Sequence, residues 1–283
     1  MSKYIKRIIL FSFILIIFLV TVGLVRVVIV RSYSWELPNK VHVLFMGASH
    51  ITNAIDDRMM ESAINMAGSS ERYMFTYIKL KHLFSENKQI DTVFLQLAAT
   101  DLWSNADVKY HVINEQSNFV KVYWPFFKGE NWSIYRSEPI QVLGLVIQSL
   151  ISPSDLTKAG YWDNLGKFNK VTQVIDTSQV KPDIEKDTGY GNEVNYKYLR
   201  LIIELCKEYN VKLIFLETPT YHPEYSYDQN YFYNAYKKYF SDVEFDDWSK
   251  WPIDMDERAD AHHLNEKGAG HFTKEIMKKY SIK

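Results

Sequence analysis

Three residues suited to nucleophilic catalysis stand in two short motifs near opposite ends of the chain. Ser49 lies in Gly47-Ala48-Ser49-His50, directly after an apolar run, and Asp260 precedes His263 by three positions. Acyl transfer by serine needs a base, a carboxylate that orients the base, and donors for the oxyanion. From a loop, Asp260 can reach Nδ1 of His263 and leave Nε2 free to face a serine. The spacing therefore predicts a Ser49–His263–Asp260 triad.

Each motif also has an alternative interpretation. Ser49 could be an ordinary turn or helix-cap residue after a strand. Asp260 could pair with His262 instead of His263. The histidines His262, His263 and His271 could suggest a metal, but neither a Cys partner nor His-Glu-x-x-His spacing supports one. We therefore expect no metal and no cofactor.

Composition excludes some classes of function. The chain has 283 residues, of which 47% are hydrophobic, enough for a sizeable core. Its formal net charge is -1, which gives no electrostatic reason to expect nucleic-acid binding. Cys206 is the single cysteine, so an internal disulfide is excluded. Because it lies in an apolar helical stretch, we expect a buried and inert thiol.

The N-terminal segment predicts a membrane anchor. Residues 8–25 are uncharged, which is about the length of a helix that crosses the hydrocarbon core. A cleaved signal peptide is the alternative, but residues 21–26 offer no Ala-x-Ala-like site. Three basic residues within 1–7, with the start amine, outweigh Arg26 and Arg31 on the other side. This asymmetry predicts a cytoplasmic N-terminus and an external domain.

Apolar runs and amphipathic segments alternate along the rest of the chain, which predicts an α/β fold with three layers. We expect a flavodoxin-like parallel sheet of about five strands, at residues 41–46, 62–68, 91–97, 211–216 and 243–245. Helices are expected at 56–62, 71–86, 192–209, 229–240 and 265–280, with Asn265 as the N-cap of the last.

The predicted organisation has three parts. Residues 1–31 form the anchor, residues 32–40 a linker and residues 41–283 the α/β domain. An insertion at about 103–190 interrupts the alternation of strands and helices, is rich in Trp and Tyr, and contains one helical candidate at 138–151. A structureless loop of this length is uncommon in a compact domain. We expect the insertion to cap the sheet near the catalytic face, where it could form a binding wall, or to lie on the membrane surface.

The two end motifs together resemble the SGNH/GDSL hydrolase superfamily. The form Asp260-x-x-His263-Leu264-Asn265-x-x-Gly268 is similar to that of its membrane-associated bacterial branch, which includes proteins of polysaccharide and teichoic-acid O-acylation. The resemblance covers residues 41–280. It implies a serine esterase or O-acyltransferase that needs no cofactor, with Ser49 as nucleophile, His263 as base and Asp260 as its orienting carboxylate.

The resemblance also implies oxyanion donors. The family's second block supplies a backbone N–H, which matches Gly68 or Ala67 here, beside that of Ser49. Its third block, Gly-x-Asn-Asp, matches residues 98–101, so Thr100 stands in the position of the asparagine. The family's usual aspartate before the serine is also replaced, by alanine.

Three further residues are candidates for the same crevice. Asn53 and Asn105 are alternative side-chain donors for the oxyanion. Glu217 follows the fourth predicted strand and could bind substrate, or be a solvated loop carboxylate.

Two functions from different classes follow. The first is an enzyme of the bacterial cytoplasmic membrane, with a single span and an external domain, that acts on acyl esters of a carbohydrate or envelope polymer. The second is a catalytically impaired accessory protein that partners a membrane O-acyltransferase, which the replaced family residues favour. A third interpretation is an α/β domain in which the motifs are accidental.

Overall fold

A parallel sheet organises the larger part of the chain. The computed structural model describes residues 3–102, 116–150, 165–179, 193–221 and 229–283. Within these ranges, five parallel strands lie in the order β2-β1-β3-β4-β5. Their bounds are Val43–Met46 (β1), Ala63–Asn65 (β2), Thr92–Gln96 (β3), Lys212–Glu217 (β4) and Glu244–Asp247 (β5). This is the flavodoxin-like order, and the predicted α/β class is confirmed.

The central strands are buried on both faces, as their apolar runs predict. Val43 and Phe45 of β1 belong to an apolar cluster that also contains Phe272 of the C-terminal helix. Leu44 and Met46, which are fully buried, alternate with them and therefore face the opposite side of the sheet. Three layers result, with helices on both faces.

The helices occupy most of the predicted segments. Those that the structure describes are Lys3–Arg31 (α1), Ser49–Ala54 (α2), Tyr73–Glu86 (α3), Ser117–Tyr123 (α4), Gly129–Ile134 (α5), Pro139–Leu150 (α6), Glu193–Glu208 (α7), Gln229–Tyr239 (α8) and Glu266–Tyr280 (α9). Helix α2 packs on α9, and α3 packs on α7. Asn265 caps α9 as predicted, because its side chain accepts the N–H of Gly268.

The helix predicted at 56–62 is wrong. Only one 3₁₀ turn forms there, at Asp57–Met59. The chain then extends, because the N–H groups of Glu61 and Ser62 both donate to the carbonyl of Lys283 at the C-terminus. Helix α2, which begins at Ser49, stands before this turn and was not predicted.

The N-terminal helix belongs to the smaller of two compact units. The described residues separate into one unit from Met1–Ser34 and His111–Asn164 and another from Trp35–Tyr110 and Leu165–Lys283. Helix α1 has 29 residues, and its apolar window is unburied. Length and composition allow it to cross a membrane, as an anchor or as a signal sequence. The predicted insertion is divided between the two units.

Two arginines, one of them buried, join α1 to the insertion helices. Arg26 is 1% exposed. It donates to the carbonyl oxygens of Ser149 at 2.6 Å and Lys121 at 3.5 Å. Arg31 donates to the carbonyl of Pro125 at 2.8 Å. The two charges that interrupt and close the apolar segment therefore bind backbone carbonyls of α4, α6 and the turn after α4.

Candidate active site

Ser49 is presented by a tight turn between strand and helix. β1 ends at Met46, and α2 begins at Ser49. Between them Gly47 has a φ of +140°, and a Cβ on it would lie 2.4 Å from Cβ of Gln96. A side chain is excluded by both conditions. Glycine at this position therefore allows the serine to stand at the carboxyl edge of the sheet, where α/β proteins bind ligands.

Ser49, His263 and Asp260 form one continuous series of hydrogen bonds. The Oγ of Ser49 lies 2.8 Å from Nε2 of His263. The Nδ1 of His263 lies 2.9 Å and 3.0 Å from the two carboxylate oxygens of Asp260. The structure thus brings together a hydroxyl, an imidazole and a carboxylate in the arrangement that acyl transfer by serine requires.

The carboxylate of Asp260 is held in its charged form. Burial alone would raise its pKa, but hydrogen bonds from the ring of His263 and from the N–H groups of His262 and His263 lower it to about 2. The side chain of Asp260 binds the ring of His263, and His262 donates its backbone N–H to the same carboxylate. Because this negative charge lies at Nδ1, it fixes the tautomer that leaves Nε2 as the proton acceptor.

The loop that carries the acid and base is closed on itself. The N–H of Ala259 donates to the carbonyl of His263 at 2.9 Å. Arg258 forms an antiparallel bridge with Leu264. The N–H of Tyr221, after β4, donates to the carbonyl of Ala261 at 2.8 Å. These bonds position the histidine before α9 begins.

A described part of the insertion links the two ends of the site. Residues 165–175 run beside α2, where the N–H of Asn169 donates to the carbonyl of Thr52 at 2.7 Å. Farther along, the N–H of Ile175 donates to the carbonyl of Arg258 at 2.9 Å. This segment therefore connects the helix of Ser49 to the loop of His263.

The backbone donors suggested for the oxyanion have partners within the fold. The N–H of Gly68 donates to the carbonyl of Gly47 at 3.0 Å. The N–H of Ala67 donates to Oδ1 of Asn65 at 3.0 Å. In this conformation both groups stabilise the loop after β2. The N–H of Ser49, the first residue of α2, is the other backbone group that the sequence suggests.

The side-chain candidates for the oxyanion differ in their surroundings. Thr100 lies in the 3₁₀ turn Ala99–Asp101, and its side chain is outside the described part of the structure. Asn105 lies outside the described residues altogether. Oδ1 of Asn53 accepts from the hydroxyl of Thr52 and from the amide of Asn169, each at 3.0 Å. Asn53 is thus fixed beside the nucleophile in the same short helix.

Gln96 supports the nucleophile turn and was missed by the sequence analysis. It is 3% exposed at the end of β3. Its Oε1 accepts the N–H of Ala48 at 2.9 Å, and its Nε2 donates to Asp101 at 3.2 Å. Asp101 also accepts the N–H of Ala98 at 2.9 Å. The available signal was a polar residue that closes an otherwise apolar strand.

Glu217 is a buried carboxyl group in the crevice and not a solvated loop residue. It is the last residue of β4, and its side chain is 9% exposed. Burial, with the nearby charges of Asp101 and Asp247, raises its pKa well above the usual value. Its Oε1 lies 3.6 Å from Nδ1 of His50, whose ring lies 5.5 Å from that of His263. A buried carboxyl group of raised pKa thus lies beside the ring of His50, the residue that follows Ser49.

Two other expectations concern metal binding and the thiol. Within the described ranges, the structure contains no group of three or more His, Cys, Asp or Glu side chains that could hold a metal ion. Cys206 is buried, which raises the pKa of its thiol to about 12. A thiol that stays protonated is a poor nucleophile, so Cys206 is not a candidate for one.

Comparisons with known proteins give distant similarities. One protein-family model matches residues 161–281, which include Asp260 and His263. No curated protein matches the chain. A solved structure of a candidate platelet activating factor from Streptococcus pneumonia is 13% identical over 99% of each chain, with a TM-score of 0.43.

Two structures from Bacteroides are similar at the same level. A candidate acylhydrolase from Bacteroides fragilis is 12% identical over 89% of this chain and 95% of its own, with a TM-score of 0.42. A GDSL-like lipase from Bacteroides thetaiotaomicron is 9% identical over 89% of this chain and 94% of its own, with a TM-score of 0.38. Similarity this low assigns no activity, so function is argued from the side chains of the site.

Proposed function

We propose that the chain is a serine esterase or O-acyltransferase of the SGNH/GDSL kind. The observation that carries this proposal is the series of hydrogen bonds from Asp260 through His263 to Ser49. Ser49 and His263, which are 214 positions apart in the chain, meet with Asp260 at one edge of the sheet with the geometry of a nucleophile, base and orienting carboxylate. An accidental pair of motifs would not be expected to meet in this way.

The reaction proceeds in two steps. Oγ of Ser49 attacks the ester carbonyl while Nε2 of His263 takes the hydroxyl proton, and Asp260 stabilises the imidazolium. The bond to the leaving alcohol then breaks, and His263 gives it the proton, which leaves an acyl group on Ser49. An acceptor hydroxyl then attacks this acyl-enzyme while His263 takes its proton. The bond between the acyl group and Oγ of Ser49 breaks, and His263 returns the proton to Oγ, which restores Ser49. Water as acceptor makes the protein an esterase, and a sugar hydroxyl makes it a transferase.

We further propose that α1 anchors the chain in the bacterial cytoplasmic membrane, with the N-terminus inside and the catalytic domain outside. Its apolar length and the excess of basic residues before it support this orientation. An external active site would meet acyl esters of carbohydrate or envelope polymers. The resemblance of the Asp260-to-Gly268 motif to membrane-associated O-acylation proteins supports that substrate class.

A second candidate is a non-catalytic partner of a membrane O-acyltransferase. This candidate is favoured by the two backbone donors that the sequence suggests for the oxyanion. The N–H groups of Gly68 and Ala67 already have acceptors within the fold. Loss of an oxyanion donor costs about 10²- to 10³-fold in rate. A protein with an intact triad and no oxyanion donors could retain the cleft for binding alone.

Covalent labelling separates the two candidates. The full chain in detergent is treated with a fluorophosphonate, and turnover of an activated acetyl ester is measured in parallel. We expect labelling and turnover in the wild type and in Ser85→Ala, an exposed serine-to-alanine control, and neither in Ser49→Ala. Equal turnover in Ser49→Ala would remove Ser49 as nucleophile. A folded wild type that neither labels nor turns over would favour the accessory role.

A further inference from the structure

A cavity of about 480 Å³ lies beside the loop that carries the acid and base. Its walls come from the segments after β4 and β5 and from the turn before α9. Tyr221 lines it, and the N–H of Tyr221 donates to the carbonyl of Ala261, between Asp260 and His263. Since the strands are parallel, these segments stand at the same edge of the sheet as Ser49. The cavity is therefore a neighbour of the triad.

Arg258 supplies a buried positive charge to this cavity. The residue is 6% exposed, and its Nε has no hydrogen-bond partner among the described residues. Its Cζ lies 5.6 Å from the centre of the Tyr221 ring. Burial lowers the pKa of the guanidinium, and Tyr221 and Glu257 offset this in part. A buried charge without hydrogen-bonded counter-charge is costly.

The neighbouring carboxylate of Glu257 compensates Arg258 only in part, because its oxygens also have other partners. Oε2 of Glu257 lies 3.3 Å from Nδ1 of His271, and Oε1 lies 3.9 Å from Nζ of Lys267. The N–H of Asp254 also approaches Oε2 at 3.3 Å. Nε of the guanidinium therefore has no acceptor among the described residues, and a ligand in the cavity that Arg258 lines could supply one.

Part of the remaining lining, which also includes Lys250, Asp254 and His271, suits a sugar. Trp251 and Tyr221 offer aromatic surface. Thr220 and Ser249, both buried, place hydroxyl groups on the same wall. Hydroxyls donate and accept, so they match the hydroxyl groups of a saccharide.

We infer that this cavity is a subsite for an anionic saccharide, whose carboxylate or phosphate group binds the guanidinium of Arg258. A guanidinium presents parallel N–H donors that fit both groups bidentately. Its place beside the acid–base loop makes the ligand a unit of the acyl acceptor or of the acylated polymer, and this assignment to the substrate rests on the proposed function. The binding of an anionic sugar does not.

The test measures binding directly, without an ester. Full chain in uncharged detergent is titrated calorimetrically with glucuronic acid, glucose 6-phosphate, inorganic phosphate and glucose. We expect both charged sugars to bind, and the one that binds more tightly identifies the preferred charged group. Glucose should bind at least about tenfold more weakly, because it cannot make the charge-assisted hydrogen bond. Equal binding of glucose would overturn the role of charge, and inorganic phosphate equal to glucose 6-phosphate would overturn the role of the sugar.

Variants locate the site. Arg258→Gln is expected to weaken the binding of the charged sugars about tenfold or more, and Arg258→Lys to retain part of it. Lys212→Gln removes an exposed charge at the start of β4 and should bind as the wild type does. Unchanged affinity in folded Arg258→Gln would overturn the proposal.

A chemical measurement on the wild type keeps the proposal testable if the variants misfold. Glucuronic acid should protect Arg258 from phenylglyoxal, as mapped by peptide mass spectrometry. Modification of Arg258 at the same rate with and without the sugar would also overturn it. Because none of these readouts uses ester turnover, their failure is distinct from failure of the Ser49 labelling experiment.

Discussion

Oε1 of Gln96 accepts the N–H of Ala48 at 2.9 Å, one residue before the candidate nucleophile. The same side chain donates to Asp101, so a single buried amide joins the turn after β1 to the turn after β3. Both turns stand at the edge of the sheet where the triad assembles. The position of Ser49 thus depends on a neighbouring strand as well as on its own.

The first prediction concerns this amide. Gln96→Leu leaves the buried N–H of Ala48 and one acceptor site of Asp101 without their partner, which costs about 1–3 kcal/mol for each unsatisfied group. We expect a lower free energy of unfolding in urea and a lower kcat for an activated ester. Gln173→Leu, at an exposed position, is the matched control. A variant as stable and as active as this control would mean that Gln96 does not position the turn.

The second prediction concerns the glycine of the same turn. Gly47→Ala places a Cβ 2.4 Å from Cβ of Gln96 at a φ of +140°. Strained backbone costs about 1–3 kcal/mol before any clash is counted, so we expect loss of at least that much stability in thermal or urea unfolding, together with loss of fluorophosphonate labelling.

The control for this glycine is Gly129→Ala. A Cβ on Gly129 would meet nothing within 4 Å, so this variant should unfold within about 0.5 kcal/mol of the wild type. Equal stability of the two alanine variants would contradict the steric argument.

The sheet could be predicted from the sequence because its central strands are continuous apolar runs that need no tertiary information. The triad could be predicted because Asp260 and His263 are close in the chain and the motif of Ser49 follows a strand. Helix α2 was missed because its six residues, Ser49–Ala54, carry no long amphipathic period. Short helices of this kind depend on tertiary contacts more than on propensity.

The supporting interactions of the site could not be predicted, because each one joins residues distant in sequence. The bond from Ala48 to Gln96 depends on the register of β1 beside β3. The partner of the Gly68 N–H depends on how the loop after β2 approaches Gly47. A sequence motif gives the residue type that a donor needs, but the acceptor that already binds it is visible only in three dimensions.

The third prediction concerns the charge on Asp260. Asp260→Asn removes the negative charge at Nδ1 of His263, and kcat should fall on the order of 10³- to 10⁴-fold. The pKa of Asp260 is lowered to about 2 in the folded protein, from 3.8. An acid whose pKa is lower in the folded protein stabilises the fold at any pH above its pKa in the unfolded chain. This contribution is lost as the pH falls through its pKa in the folded protein.

This direction of the pH dependence can be measured by thermal unfolding. The difference in thermal midpoint between wild type and Asp260→Asn should be constant above about pH 5 and shrink as pH falls from about 4 towards 2. Asp242→Asn changes an exposed aspartate that pairs with Lys207, and serves as control. A difference that stays constant down to pH 2 would contradict the lowered pKa of Asp260.

The fourth prediction concerns Glu217, whose pKa shifts in the opposite direction to that of Asp260. Burial, together with Asp101 and Asp247, raises the pKa of this carboxyl group in the folded protein. An acid whose pKa is higher in the folded protein stabilises the fold when it is protonated. This stabilisation is lost as the pH rises through the pKa that the group has in the folded protein. Glu217→Gln keeps the shape of the protonated acid without its charge. We therefore expect a higher thermal midpoint than the wild type, by an amount that grows as pH rises above about 4.5.

The imidazole of His50 could instead make the thermal midpoint of Glu217→Gln fall. If His50, 3.6 Å from Oε1 of Glu217, is protonated and compensates the carboxylate, Glu217→Gln loses an ion pair and its midpoint falls. Glu208→Gln, at an exposed position of α7, controls for the change of net charge. A lower midpoint for Glu217→Gln at pH 7, with Glu208→Gln unchanged, would show that the Glu217 carboxylate is ionised and paired with His50. A higher midpoint would show that the folded protein disfavours the Glu217 carboxylate, in agreement with the direction of its pKa shift.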